Sequence, residues 1–587
     1  MPGFHPSSVL CFHLLLLFSW APPVICEDDA VVVTSYGPIK GKHLPAGPGS
    51  VTAYLGIPYA EPPVGKLRFQ KPHPHQPWSQ VLEATDFGNA CIQFIISNTS
   101  DAQMWAPNRP LSEDCLFLNV WAPHPRPSSP VPVLVWIHGG AFFAGTSSLD
   151  VLNGAGLASQ EKVIVVSTNY RLGALGFLSL PPAAPGNMGL LDQQLALNWV
   201  KENAAAFGGD PSQVTISGSS AGAASVGFHL LSPSSQPLFA QAILQSGDPT
   251  AVWAWKSPEE ARQKALALSQ LLGCAEGNAS AVVSCLQEKD AKELAPHEMS
   301  LFQNSSFFLD FPFVPTTDGD FLPDDPEELL QDGHIQVKPI LIGVTSNEAS
   351  TFVPFVFPDT IHNQMTEEQF QEGIKGIQIN VTQEVVQALT LMYSKEGPEP
   401  VPYRQALVRF FSDYYIICPA AEFTSKLREA GSPVYFYVFK HYTSGSFWPE
   451  WFGAHHGADL PYVFGTLESV LDVNQTYTQA EAALSRRMMR YWAEFSRSGS
   501  PTGSGASGEE WSLYNPTQQN LFYLRTESSN VTELSPFQHC DSLKQHVGKS
   551  SQDTSEGLPK TSSPGEMSML HDENPLPAEA LRGVREI

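Results

Sequence analysis

The chain has 587 residues, 42% of them apolar and 11% aromatic, enough to bury a large core. With 33 basic against 59 acidic residues it carries a formal charge of −26, which argues against a nucleic-acid partner, since phosphate binding needs basic surface. No Cys-x-x-Cys or His-x-x-x-His spacing offers a zinc site, and neither a metal nor a cofactor is expected. In chain order, the first segment is "MPGFHPSSVLCFHLLLLFSWAPPVICEDDA". Its apolar run from Val9 to Trp20 is too short to span a bilayer, and small-residue cleavage is plausible near Val24 and Cys26. Residues 1–26 therefore read as a secretory signal, with His5 standing in for the usual Lys or Arg. No later stretch reads as transmembrane, and a secreted protein follows.

From 27 to 543 no linker divides the chain. The apolar runs "PVLVWI" (132–137), "VIVVSTNY" (163–170), "AQAILQSG" (240–247) and "KPILIGV" (338–344) predict buried strands. Helical stretches such as "LDQQLALNWVKENAAAF" separate them. That alternation predicts an α/β fold, with a mostly parallel sheet covered on both faces. "SRSGSPTGSGASGEE" (496–510) predicts a flexible surface loop, and 544–587, polar and without an apolar face, a disordered tail. Beyond the signal lie six cysteines, Cys91, Cys115, Cys274, Cys285, Cys418 and Cys540, an even number that suggests three disulfides. Sequential pairing is the simplest of the 15 connectivities that six cysteines allow. Sequons at Asn98, Asn278, Asn304, Asn380, Asn474 and Asn530 fit passage through the secretory pathway.

The chemistry starts at "SGSSAGAAS" (217–225), a Gly-x-Ser-x-Gly pentad centred on Ser220. "PSQVTIS" alternates like a strand before it, and "AGAASVGFHLL" continues like a helix after it. Strand, tight turn and helix are the setting in which this pentad holds a nucleophilic hydroxyl clear of a sheet. A serine needs a base and an orienting carboxylate, here expected in the chain order Ser, acid, His. "PEWFGAHHGADLPYVFG" offers His456, with His455 its rival. "ILIGVTSNEASTF" offers Glu348 just beyond a buried strand, although physical reasoning alone favours a solvated loop glutamate there. "VWIHGGAFFAG" supplies paired glycines after the 132–137 strand. Backbone N–H groups of Gly140, Ala141 and Ala221 would then form an oxyanion hole.

Four further stretches carry a resemblance: "YLGIPYAEPPVGKLRF", "SEDCLFLNVWAP", "GNMGLLDQQLALNWVKENAAAFGGDPSQVTISGSSAG" and "PTTDGDFLPDDP". Over residues 30 to 543 the sequence resembles the type-B carboxylesterase/cholinesterase family, and within it the cholinesterases. The resemblance implies an α/β-hydrolase fold, Ser220 as nucleophile, Glu348 as acid and His456 rather than His455 as base. It also implies the disulfides 91–115, 274–285 and 418–540.

For the substrate, the resemblance implies that Trp105, in "QMWAPNRPLSEDC", stacks on choline, and that Trp253 and Trp451 line the same gorge. Leu309 and Phe311 stand where acetyl-selective relatives have two phenylalanines, so acetyl and somewhat larger acyl groups should fit. Several positions depart from the family. Ser219 replaces a glutamate before the nucleophile, and Leu152 replaces the tyrosine that bonds it. Asp459 stands for another gorge glutamate and is expected to keep one charge. Thr351 replaces a gorge aromatic. Phe94, Ile96 and Phe143 replace two tyrosines and an aspartate, which implies a weak peripheral cation site. The tail lacks the Trp-rich helix and terminal Cys of cholinesterase tetramers, so a monomer or homodimer is expected. The reading is a secreted serine hydrolase of choline esters. A carboxylesterase for neutral esters and a non-catalytic adhesion protein are the alternatives.

Overall fold

The computed structural model describes residues 30–95, 106–377, 381–395, 402–503, 510–526 and 535–555, with side chains through 547. Ten strands form the main sheet. In chain order they are β1 (Lys42–Ala46), β2 (Gly49–Pro58), β3 (Phe117–His124), β4 (Val131–Ile137), β5 (Ile164–Thr168), β6 (Gly209–Ser219), β7 (Gln241–Gln245), β8 (Ile340–Thr345), β9 (Val434–Phe439) and β10 (Phe522–Leu524). Across the sheet they lie in the order β10-β9-β8-β7-β6-β4-β5-β3-β2-β1. Every pairing from β10 to β5 is parallel. Strands β3, β2 and β1 close the other edge antiparallel.

The four strands predicted from apolar runs are β4, β5, β7 and β8 in the parallel region. Alternation along β4 shows how one run serves two cores. Val133, Val135 and Ile137 enter one buried cluster, whereas Leu134 and Trp136 enter the other. Helices α1 (Met188–Asn203) and α2 (Ala221–Leu231) add Leu197, Val200, Val226 and Phe228 to the first. Helix α3 (Gln479–Ser498) adds Met488 and Trp492 to the second. A capping box between Thr478 and Glu481 starts α3, and Gly499 ends it at φ 73°. The loop predicted to begin at 496 therefore begins three residues later, since Ser496 is still buried helix.

The disulfides are 91–115, 274–285 and 418–540. Disulfides of this kind persist in oxidising compartments. The first residues expected to belong to the tail, 544–555, are helical. A helix runs Cys540–Ser555, past the boundary placed at 543. Cys540, Leu543 and Val547 recur at helical spacing and pack on the first core, an apolar stripe that the polar composition conceals. Asn278, Asn304 and Asn474 are exposed, while Asn98, Asn380 and Asn530 lie outside the described residues. No described helix is long and apolar enough to cross a membrane.

Candidate active site

The expected nucleophile sits on a strained turn. Strand β6 ends at Ser219, α2 starts at Ala221, and Ser220 between them has φ 57° and ψ −124°. A side-chain-bearing residue adopts that backbone only when its surroundings impose it. They do: the Ser220 N–H donates to the Gln245 carbonyl of β7 at 2.8 Å, and its carbonyl accepts from the Ala224 N–H at 2.9 Å. Gly222 lets the turn press against β4, because a Cβ there would meet the Ile137 carbonyl oxygen. Ser220 is half-buried and lines a cavity of about 350 Å³.

Glu348 opens a short turn after β8 and is fully buried rather than solvated. Its Oε2 lies 2.6 Å from His456 Nδ1, and its Oε1 accepts the Thr345 N–H at 2.7 Å. Backbone pairing holds the two segments together: the Asn347 N–H donates to the Ala454 carbonyl at 3.0 Å, and Asn347 bridges to His455. Phe352 packs its ring 5.0 Å from that of His456. The His456 ring lines the cavity with Ser220, and its buried Nε2 has no hydrogen-bond partner. No hydrogen bond joins Ser220 to His456 Nε2. Such bonds commonly tighten only when substrate binds. His455 instead packs against Trp448 at 5.2 Å, and burial pushes its imidazole down to about 4.

Gly140, Ala141 and Phe142 have φ of 115°, 51° and 64°, a run of left-handed residues of the kind that gathers N–H groups into an anion-binding concavity. Gly140 and Ala141 line the cavity, and Ala221 is the fully buried first residue of α2. Among the described residues, none of these three N–H groups has a hydrogen-bond partner. The loop is tied down further on. The Gly173 N–H donates to the Phe142 carbonyl at 2.7 Å, and the Ala174 N–H donates to Glu298 Oε2 at 3.0 Å.

The rest of the wall is mostly apolar. Leu309, Phe311 and Trp253 line it, as do Leu152, Thr351, Phe94 and Phe143. Trp253 is fixed by its Nε1–H, which donates to the Tyr415 carbonyl at 2.8 Å. Trp105 and Ile96 fall outside the described residues. Two expectations are corrected. Trp451 is not among the described residues that line the cavity, and the Arg404 guanidinium covers its ring at 4.1 Å; Trp448, three residues earlier, lines it. Asp459 contributes no charge to the wall. It is fully buried behind it, where Oδ2 accepts from Tyr437 OH at 2.7 Å and Gln245 Nε2 at 2.9 Å, and burial raises its carboxyl. Among the described residues, no Asp, Glu, Lys or Arg lines the cavity. His138 does line it, but burial pushes its imidazole down to about 4, leaving it neutral at pH 7.

Comparison with known proteins agrees with this architecture. Residues 28–543 match the model of the carboxylesterase family. A cholinesterase of Mus musculus is 45% identical over 517 residues, covering 86% of this chain and 85% of the relative. An acetylcholinesterase of Bungarus fasciatus is 44% identical over 529 residues, covering 86% of each. The ten-strand sheet with helices on both faces is the α/β-hydrolase fold of that family. The chain belongs to the carboxylesterase family and is a carboxylic ester hydrolase.

Proposed function

We propose that this chain is a secreted hydrolase of choline esters that works through an acyl-enzyme on Ser220. The observation that carries the mechanism is the 2.6 Å contact from His456 Nδ1 to Glu348 Oε2, with the other imidazole nitrogen unpartnered on the cavity side. Ser220 Oγ attacks the ester carbonyl while His456 Nε2 takes its proton. Glu348 fixes the imidazole's tautomer and balances the imidazolium. The N–H groups of Gly140, Ala141 and Ala221 receive the oxyanion, each worth a few kcal/mol in this role. His456 then protonates the departing alcohol, and water, deprotonated by the same imidazole, releases the acid.

Choline as the alcohol is supported by the likeness to the two cholinesterases, by Trp105 and by an aromatic wall suited to a quaternary ammonium. One observation favours a second reading, neutral esters: the described wall holds no carboxylate to attract a cation. Turnover of acetylcholine, butyrylcholine and an uncharged isostere of acetylcholine separates the two. The choline reading expects the charged ester to be preferred and the preference to fall in Trp105→Ala. Equal turnover of charged and neutral esters, unchanged by that substitution, would transfer the assignment to neutral esters. Secretion is supported by the three disulfides and the N-terminal signal pattern; recovery of glycosylated protein from culture medium tests it.

A further inference from the structure

Phe311, on the expected acyl side of the cavity, does not end the pocket. Its ring stacks on Phe302 at 5.4 Å with an interplanar angle of 9°, and Phe302 meets Phe355 at 5.7 Å. Phe355 lines the cavity as well and is 42% exposed at the surface. Phe143, next to the oxyanion loop, leans on the same ladder, 5.6 Å from Phe311 and 6.4 Å from Phe302. Phe311, Phe143 and Phe355 thus line the cavity from the acyl position to solvent, and Phe302 backs them from behind the wall. Ile95 also lines the cavity and is 48% exposed. Isolated exposed apolar side chains need no explanation, but an apolar surface continuous with a reaction pocket does.

The chemistry of the ladder narrows its occupant. Phenylalanine rings offer no hydroxyl, so nothing along them fixes a polar group. The carboxyl beneath them, Glu298, shares a small void with Phe143 and Phe302, and burial pushes it up to about 8, so at neutral pH it offers little negative charge. Phenylalanine is also a weaker partner for a cation than tryptophan.

From these contacts we infer that Phe311, Phe143 and Phe355, held by Phe302 behind them, form an extended acyl subsite that takes the uncharged alkyl arm of medium-chain esters. The arm lies along the rings while the ester carbonyl sits at Ser220, so the acyl chain reaches the rim instead of being confined to a closed pocket. The inference rests on the acyl-enzyme reading and adds the class of acid released.

The test is kcat/KM for p-nitrophenyl acetate, butyrate, hexanoate and octanoate, with enzyme concentration fixed by titration with a fluorophosphonate. Burying methylenes along the ladder should raise kcat/KM roughly threefold per added carbon. In Phe355→Ala the octanoate-to-acetate ratio should fall about tenfold, and Phe355→Trp should restore it. Three results would overturn the inference: a wild-type profile flat or falling beyond butyrate; a ratio unchanged in Phe355→Ala; or an equal gain when the alcohol is lengthened and the acyl group held at acetyl. An octanoate analogue with a terminal trimethylammonium should lose the gain, and if it is preferred the ladder is a cation site. Failure of the underlying reading is distinguishable, because the fluorophosphonate would then not titrate Ser220.

Discussion

Glu298 provides a prediction whose sign and size follow from burial. It lies on the helix Ala291–Gln303, with Oε2 accepting the Ala174 N–H and Oε1 buried without a partner. Burial pushes its carboxyl from the ordinary 4.5 up to about 8. Between those values the native state holds a proton that the unfolded chain has released. Stability from this group is therefore full below pH ~4.5 and is lost as pH rises towards ~8, by up to ~1.4 kcal/mol per pH unit. Over the window the loss is at most about 5 kcal/mol, less if water reaches the ionised group. Glu298→Gln keeps the acceptor for Ala174 and places an amide N–H₂ where the protonated wild type places an O–H, so both leave a buried donor unpaired and only the wild type pays for ionisation as pH rises. Thermal melts of both proteins at pH 5, 7 and 9, at one scan rate, read the difference. The variant should melt close to wild type at pH 5 and higher than it at pH 9, because other titrating groups cancel. A difference constant across that range would refute the reasoning. Since the chain of contacts continues through Gly173 to the carbonyl of Phe142, wild-type turnover should also fade at high pH more than that of the variant.

Other outcomes follow from single contacts. Glu348→Gln should keep the fold but lower kcat about 10³- to 10⁴-fold, because the amide favours the wrong imidazole tautomer; steady-state kinetics beside an unchanged melt checks it. Arg171 and Asp192 form a buried fork, with Nε–Oδ2 2.8 Å and Nη2–Oδ1 2.7 Å, so Arg171→Met strands a buried carboxylate. It should cost about 3–5 kcal/mol in urea denaturation. Replacing both Cys418 and Cys540 by Ala opens a loop with a sequence separation of 122. On the chain-entropy account this should cost about 4–5 kcal/mol, and the Cys540–Ser555 helix should lose hydrogen-exchange protection first.

Local features were the legible part of this sequence. The elbow could be read because strand, turn and helix adjoin within fifteen residues of Ser220, and the parallel strands because burial on both faces leaves continuous apolar runs. Glu348 was ambiguous from its neighbours, and the resemblance, not its spacing, chose it. What removes the ambiguity in space is a partner 108 residues away. Asp459 was misread for the same reason: the groups that draw it out of the wall are Gln245, 214 residues off, and Tyr437. Likewise, nothing in "FFLDFPFVP" announces that Phe302 and Phe355 continue its ring stack, since stacking is fixed by helix placement. The terminal helix was missed because three apolar residues in sixteen barely alter a polar composition.

The central claim is that Ser220 is the nucleophile that His456 and Glu348 activate. Treating the folded protein with a fluorophosphonate and mapping the adduct by mass spectrometry tests it most directly. The account predicts one adduct on Ser220, absent in Ser220→Ala, retained in Ser219→Ala and formed far more slowly in His456→Ala. An adduct on Ser219, or none on a protein whose melting transition is intact, would contradict it.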